Sequence, residues 1–268
     1  MDVSRRHYMA AGFTTGCQLL QQPADAWPNE RLFVVSDPNT YSAVTFIPEG
    51  VNERPKPLLV VLHGAGVNNE DAWALTNPKG EHAGLIPSLI AANKAPPELT
   101  ENFVVVAPYS QGKRSFYEEP RTKILDFVRW FCSDAGRRSG CPPCDKDHIY
   151  LFGFSDGATV AVELATTKMF RAVAVAAFGF SGTLPDLALE RLREVAFWVF
   201  HSQDDVIFPV EYGDKLVGSL LKRGDPSLIR YTRYERDQEG FTGVVKGHSV
   251  GITASKSADL YSWMLSIW

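Results

Sequence analysis

Short, almost uninterrupted apolar runs constrain this chain more than any other feature of its sequence. Leu58-Leu59-Val60-Val61-Leu62, Phe103-Val104-Val105-Val106-Ala107 and Ile149-Tyr150-Leu151-Phe152 are three of them, and residues 172–178 and 196–200 repeat the pattern. A strand with one wet face alternates apolar and polar residues, whereas a strand that is apolar throughout must be covered on both faces. Residues 122–136, 158–168, 210–223 and 254–268 supply the cover: their apolar residues recur at three- and four-residue steps, as in amphipathic helices. Strands alternating with helices imply right-handed crossovers, so the expected architecture is α/β, a mostly parallel central sheet with helices on both faces. In such a sheet functional groups gather in the loops beyond the carboxyl ends of the strands. Those loops begin here at His63, Pro108, Gly153, Gly179 and His201.

Residues 31–36 and 43–47 read as two earlier strands, joined through the turn chemistry of Asp37-Pro38-Asn39, and 228–234 as the last strand. A chain of 268 residues, 45% hydrophobic, can bury one large core. The expected organisation is a single domain over 29–268, preceded by a loose extension over 1–28 that the Gln-Gln-Pro and Trp-Pro breaks interrupt. No helical insertion after Phe178 is long enough for a large lid domain. Residues 65–102 and 109–121 are the longest irregular segments, and loops of that length tend to carry function.

The net charge of -4 arises from 27 basic and 31 acidic residues scattered through both halves. No basic stripe marks a surface for nucleic acid or anionic lipid. No apolar run approaches the ~20 residues of a membrane span, so a soluble, cytoplasmic protein is the expectation. Arg5, Arg6 and His7, ahead of the mildly apolar residues 9–20, outline a diluted secretory or lipid-anchor signal, and this leaves secretion open. The oligomeric state is not legible in the sequence.

Four cysteines are too few for a disulfide framework in a chain of this size. Cys132, Cys141, Cys144 and His148 have a spacing that could enclose zinc. The plainer reading places Cys132 on a helix, makes Cys141-Pro142-Pro143-Cys144 a stiff turn, and has His148 opening a strand. Free thiols are then preferred to a local disulfide, and both to a metal.

The chemistry concentrates at Gly153-Phe154-Ser155-Asp156-Gly157, which follows an apolar strand and precedes the small-residue helix Ala158-Thr159-Val160-Ala161. This is the setting of a nucleophile elbow, a strand-to-helix turn sharp enough to strain the serine and push its hydroxyl outward. Glycines at its flanks let the neighbouring backbone approach.

At these residues the chain resembles the alpha/beta-hydrolase family, from about Arg31 to Trp268. Within it, the chain is most similar to the esterase branch of polyhydroxybutyrate depolymerase-like and feruloyl-esterase-like proteins. The resemblance is carried by Pro57 to Gly66 with His63-Gly64-Ala65-Gly66, by Asp147 to Ser155, by Trp198-Val199-Phe200-His201 leading to Asp205 and Pro209, and by Gly247-His248 with Tyr261 to Leu265. It implies the alpha/beta-hydrolase fold and a catalytic Ser155, Asp205 and His248, in the order serine, acid, histidine.

A serine hydroxyl is a poor nucleophile until a base takes its proton. His248 is the best placed histidine, following Gly247 in the loop between the last strand and the last helix. His7 and His82 lie in loops without that placement, His148 is at the wrong end of the sheet, and His63 and His201 occupy supporting positions in the family pattern. A carboxylate must fix the tautomer of the histidine. Asp204 and Asp205 both qualify on chemistry, and the family's spacing to Pro209 favours Asp205.

By the same resemblance the backbone amides of Ala65 and Asp156 form the oxyanion hole. Asp156 departs from the neutral residue common there, so its side chain is expected to turn aside. The polar stretch 235–246 is longer than the pattern expects and suggests that His248 sits on a mobile loop. Trp73, Tyr109, Phe116, Tyr117 and Phe180 lie near the site and are candidates for a substrate pocket.

The reaction implied is hydrolysis of short-chain, aromatic or polyester-like carboxylic esters, small or polymeric, through an acyl-serine intermediate with neither metal nor organic cofactor. A serine peptidase, thioesterase or acyltransferase could use the same three groups. A catalytically silent relative that only binds ligand would keep the pocket.

Overall fold

A computed structural model describes residues 31–66, 71–80, 82–111, 115–239 and 247–267. The extension expected over 1–28 lies outside the described residues.

Eight strands among the described residues form one sheet in the order β1-β2-β4-β3-β5-β6-β7-β8: β1 (Leu32–Ser36), β2 (Ser42–Phe46), β3 (Lys56–Leu62), β4 (Val104–Pro108), β5 (Cys144–Phe154), β6 (Ala172–Ala176), β7 (Ala196–Ser202) and β8 (Ile229–Tyr234). The first two strands form the expected hairpin, and β2 pairs antiparallel with β4. From β4 to β8 every pairing is parallel.

The apolar runs are buried on both faces because consecutive side chains enter different cores. Leu58, Val60 and Leu62 point to one side and join α3 (Arg121–Phe131), α5 (Asp156–Ala165) and α7 (Val210–Arg223). Leu59 and Val61 point to the other, with α1 (Ile86–Ala91), α2 (Pro97–Thr100), α8 (Val250–Lys256) and α9 (Ala258–Ser266). Burial of this kind stabilises by about 25 cal/mol per Å² of apolar surface removed from water. The edge strand β8 is only partly buried, in keeping with its polar Arg230, Thr232 and Arg233.

Several boundaries differ from the sequence expectation. The helix expected over 122–136 is two helices, because Ser133 accepts a hydrogen bond from the Gly136 amide and caps a new start at α4 (Asp134–Arg138). The terminal helix breaks at Ser257, whose extended backbone ends α8 and begins α9. The helix after Ser155 stops at Ala165, and Lys168 beyond it takes a left-handed φ of 59°. His148 does not open its strand: β5 begins at Cys144. Between β6 and β7 the described helix is α6 (Asp186–Leu192), of 7 residues. No helix of the described residues is long and apolar enough to cross a membrane.

Candidate active site

Ser155 sits between the end of β5 and the first residue of α5, with φ 56° and ψ -123°. A left-handed φ in a non-glycine residue costs on the order of 1–3 kcal/mol and persists only where the surroundings fix it. They do so here. The Ser155 amide donates to the Ala176 carbonyl at 2.9 Å, and α5 packs so closely on β3 that a Cβ on Gly157 would collide with the carbonyl oxygens of Leu62 and His63. The hydroxyl is thus held at the positive end of α5.

His248 and Asp205 reach Ser155 from two other loops. His248 Nε2 lies 2.9 Å from Ser155 Oγ, and Nδ1 lies 2.8 Å from Asp205 Oδ2. The Asp205 side chain is fully buried and that of His248 is 15% exposed. Burial would raise the Asp205 pKa, but imidazole neighbours at His201 and His248 and the amides of Ile207 and Phe208 on Oδ1 outweigh it and lower it to about 2. An ionised carboxylate can only accept, so Nδ1 of His248 carries the proton and Nε2 turns a lone pair toward Ser155. His201 Nε2 makes its shorter contact, 2.8 Å, to the Phe208 carbonyl and lies 3.6 Å from Asp205, so it acts on the carboxylate mainly by braced proximity.

The neighbouring Asp204 faces elsewhere. Its Oδ1 accepts from Ser202 Oγ at 2.6 Å and from the Asp237 amide at 3.0 Å. Asp237 in turn accepts from the amides of Ser249 and Glu239, which ties residue 249, beside His248, back to the end of β7. The polar stretch expected to loosen His248 therefore contains an anchor for it, and residues 240–246 of that stretch lie outside the described residues. Gly247 turns the chain into this arrangement with φ 81°, where any Cβ would strike the Asp204 backbone. Phe154 and Phe208 flank the His248 ring at 5.3 and 5.4 Å between centroids.

On the other side of Ser155 lies the loop after β3. A Cβ on Gly64 would come within 2.9 Å of Ser155 Cβ, and Ala65 follows at the exposed edge of the site. The carbonyl of Gly64 is held from behind by His63 Nδ1 at 2.7 Å and His82 Nε2 at 3.2 Å. His63 Nε2 accepts from the Ser110 amide at 3.0 Å, which fixes the neutral ring with its proton on Nδ1. Complete burial, with His82 adjacent, lowers the His63 pKa to about 3. Asp156 is buried as the first residue of α5.

The aromatic residues expected in a substrate pocket divide. Phe116 is fully buried, packed at 4.8 Å on the His63 ring and edge-on to Tyr41, so it supports the loop and presents no surface to a ligand. Tyr109 stacks on the same imidazole at 5.8 Å and is likewise buried. Trp73 is half-buried in the 3-10 turn Ala72–Thr76, and Tyr117 lies at the surface under the Arg121 guanidinium. Phe180 lines an apolar crevice of about 310 Å³ with Thr159, Val162, Phe178, Leu184 and Pro185. Sequence reasoning set His82 aside as a loop histidine and did not single out Asp237 or Phe208. Val206 and Ile207 follow Asp205 in the chain and are 65% and 43% exposed, which the sequence pattern does not mark.

Among the described residues no group of three or more His, Cys, Asp or Glu side chains is arranged to hold a metal, and Cys132, Cys141 and Cys144 are free thiols. His148 Nδ1 engages Asp145 at 2.7 Å.

No family model and no curated protein sequence matches the chain. Solved structures do. A thermostable esterase aligns with a TM-score of 0.58 at 23% identity over 88% of this chain, which spans 62% of that protein's length. A ferulic acid esterase aligns with 0.54 at 15% identity, over 85% of this chain and 92% of that one. The protein TT1662 from Thermus thermophilus aligns with 0.51 at 20% identity, over 88% and 96%. Together with the sheet order, these likenesses establish an alpha/beta-hydrolase fold.

Proposed function

We propose that this chain is a serine hydrolase that cleaves carboxylic esters through an acyl-serine intermediate. The observation that carries the reading is the continuous relay from Asp205 Oδ2 through His248 to Ser155 Oγ, with both contacts under 3 Å. In this reading Ser155 Oγ attacks the ester carbonyl carbon while His248 Nε2 takes the hydroxyl proton, and Asp205 stabilises the imidazolium. The oxyanion of the tetrahedral intermediate accepts hydrogen bonds from the backbone amides of Ala65 and Asp156. Collapse of the intermediate expels the alcohol, which receives the proton from Nε2. A water then repeats the cycle on the acyl-serine, releasing the acid and restoring the Ser155 hydroxyl.

Two features support an apolar ester as the substrate. Val206 and Ile207 stand exposed next to the acid, and the crevice beside Phe180 opens against α5, the helix that Ser155 caps. The likeness to a thermostable esterase and a ferulic acid esterase points the same way.

The test is a panel of nitrophenyl esters of rising acyl length with feruloyl and hydroxybutyrate esters, a thioester and a peptide amide, assayed with wild type and Ser155→Ala. Turnover of esters with a loss of 10³-fold or more in the variant supports the reading. Turnover that survives the substitution overturns it, and preference for the thioester or amide moves the activity to those bonds. Labelling by a fluorophosphonate, lost in Ser155→Ala, separates an active enzyme from a ligand-binding relative.

A further inference from the structure

At the amino end of β5, away from the chemistry above, two thiols meet. Cys132, at the end of α3, and Cys144, the first residue of β5, place their sulfur atoms 3.1 Å apart. That is about 1 Å longer than a disulfide bond and closer than sulfur atoms rest in ordinary contact. Both side chains are half-buried and open to a reagent, whereas Cys141, between them in sequence, is 2% exposed and packed in the core.

The segment linking them is held in place before any bond forms. Ser133 caps α4, the Cys141 amide donates to the Gly136 carbonyl at 3.0 Å, and Arg137 Nη1 donates to the Cys141 carbonyl at 3.0 Å. The stiff turn Cys141-Pro142-Pro143-Cys144 then delivers Cys144 to Cys132.

We propose that Cys132 and Cys144 form an oxidisable pair that closes into a disulfide, stapling the end of α3 to the start of β5 and leaving Cys141 reduced. The donor hydrogen bond from Cys132 holds the Cys144 thiol below its ordinary pKa despite burial, with Lys146 and Arg137 nearby, so Cys144 is the attacking thiolate. The oxidant is a small-molecule or protein disulfide, RS–SR. Cys144 attacks one of its sulfurs, forming a mixed disulfide and expelling one RS⁻. Cys132, deprotonated in its turn, attacks the Cys144 sulfur and expels the second RS⁻. The two electrons pass to the oxidant, and the protons of the two thiols end on the two RSH products. Ser155 stands beyond the other end of β5, about 20 Å or more away as measured by the six steps of β3 that run alongside residues 144–153, so hydrolysis is untouched.

The experiment treats the full chain with oxidised glutathione at mildly alkaline pH, alkylates the remaining thiols and digests with trypsin. The expected product joins peptides 130–137 and 139–146, with Cys141 carrying the alkyl group. The Tm of the oxidised protein rises by about 5–10 °C, as for closure of a short loop in a domain of this size, and returns on reduction. Cys141→Ser keeps the linkage, and Cys132→Ser abolishes both it and the Tm rise. A bond confined to peptide 139–146, or a wild-type protein in which Cys132 and Cys144 remain alkylatable, overturns the proposal. Since the readout is a peptide map, it stands or falls independently of ester hydrolysis.

Discussion

Nε2 of His248 lies 2.9 Å from Oγ of Ser155, although 93 residues separate the two in the chain. Asp205 completes the line, and its neighbour Asp204 is turned toward Ser202 and the Asp237 amide. Replacing each by Asn separates the two carboxylates. Asp205→Asn should lower kcat by about 10⁴-fold, because an amide at that position favours the wrong imidazole tautomer. Asp204→Asn should stay within about tenfold of wild type, since its amide oxygen can still accept both bonds. Steady-state kinetics on a short nitrophenyl ester decides between them, and equal losses would remove the distinction drawn from the geometry.

Asp237 should act on turnover through the position of His248. Its carboxylate holds the amides of Ser249 and Glu239, so Asp237→Ala frees the loop that carries the imidazole. A displacement of about 1 Å costs on the order of 10- to 100-fold in kcat. KM for a short ester should change little, and Asp237→Asn, whose one acceptor oxygen can keep the Ser249 bond but not the Glu239 bond as well, should recover part of the loss. A change confined to KM would contradict a positioning role.

Buried His63 makes the fold sensitive to acid. Its pKa is lowered to about 3 in the folded protein and is about 6.5 in an unfolded chain, so between those values the unfolded state binds the extra proton. The stability contributed by the neutral ring is therefore complete above about pH 6.5. It declines as the pH falls toward 3, by up to about 1.4 kcal/mol per pH unit. Asp205, lowered to about 2, adds a further loss below about pH 4, with the same sign. Denaturant midpoints from pH 8 to pH 4 should fall for wild type. They should fall less steeply for His63→Gln, from a lower starting value, because Gln does not titrate.

The exposed pair Val206 and Ile207 should contribute to substrate affinity. Val206→Ser combined with Ile207→Ser removes exposed apolar surface next to Asp205 in the chain and leaves Asp205 in place. KM should rise about 5- to 30-fold for an eight-carbon acyl ester and stay near wild type for acetate, as expected for a loss of about 1–2 kcal/mol of apolar contact. An unchanged acyl-length profile would place the substrate elsewhere, with the Phe180 crevice as the next surface to alter.

Much of the scaffold was legible in the sequence because its signals are local. The runs at 58–62 and 149–152 could be read as two-faced strands without knowing what covered them, and Gly153 to Gly157 announced a sharp strand-to-helix turn. Helix ends were less legible: Ser133 and Ser257 break helices through competition between side-chain or extended backbone geometry and helical hydrogen bonding, which apolar periodicity does not register. Phe116 and Tyr109 were read toward the substrate because an aromatic residue in a loop carries no mark of the side on which it will be buried.

By itself, then, the sequence determined the layered α/β architecture, the position of Ser155 at a strained turn and the residue types able to serve it. Those follow from patterns within a dozen residues. Which carboxylate faces His248, which histidines brace Gly64 and which cysteines touch were decided only by tertiary structure. Each of those relationships depends on where separate loops end in space, and such distances are set by the packing of α5 and its neighbours on the sheet rather than by any local run of residues.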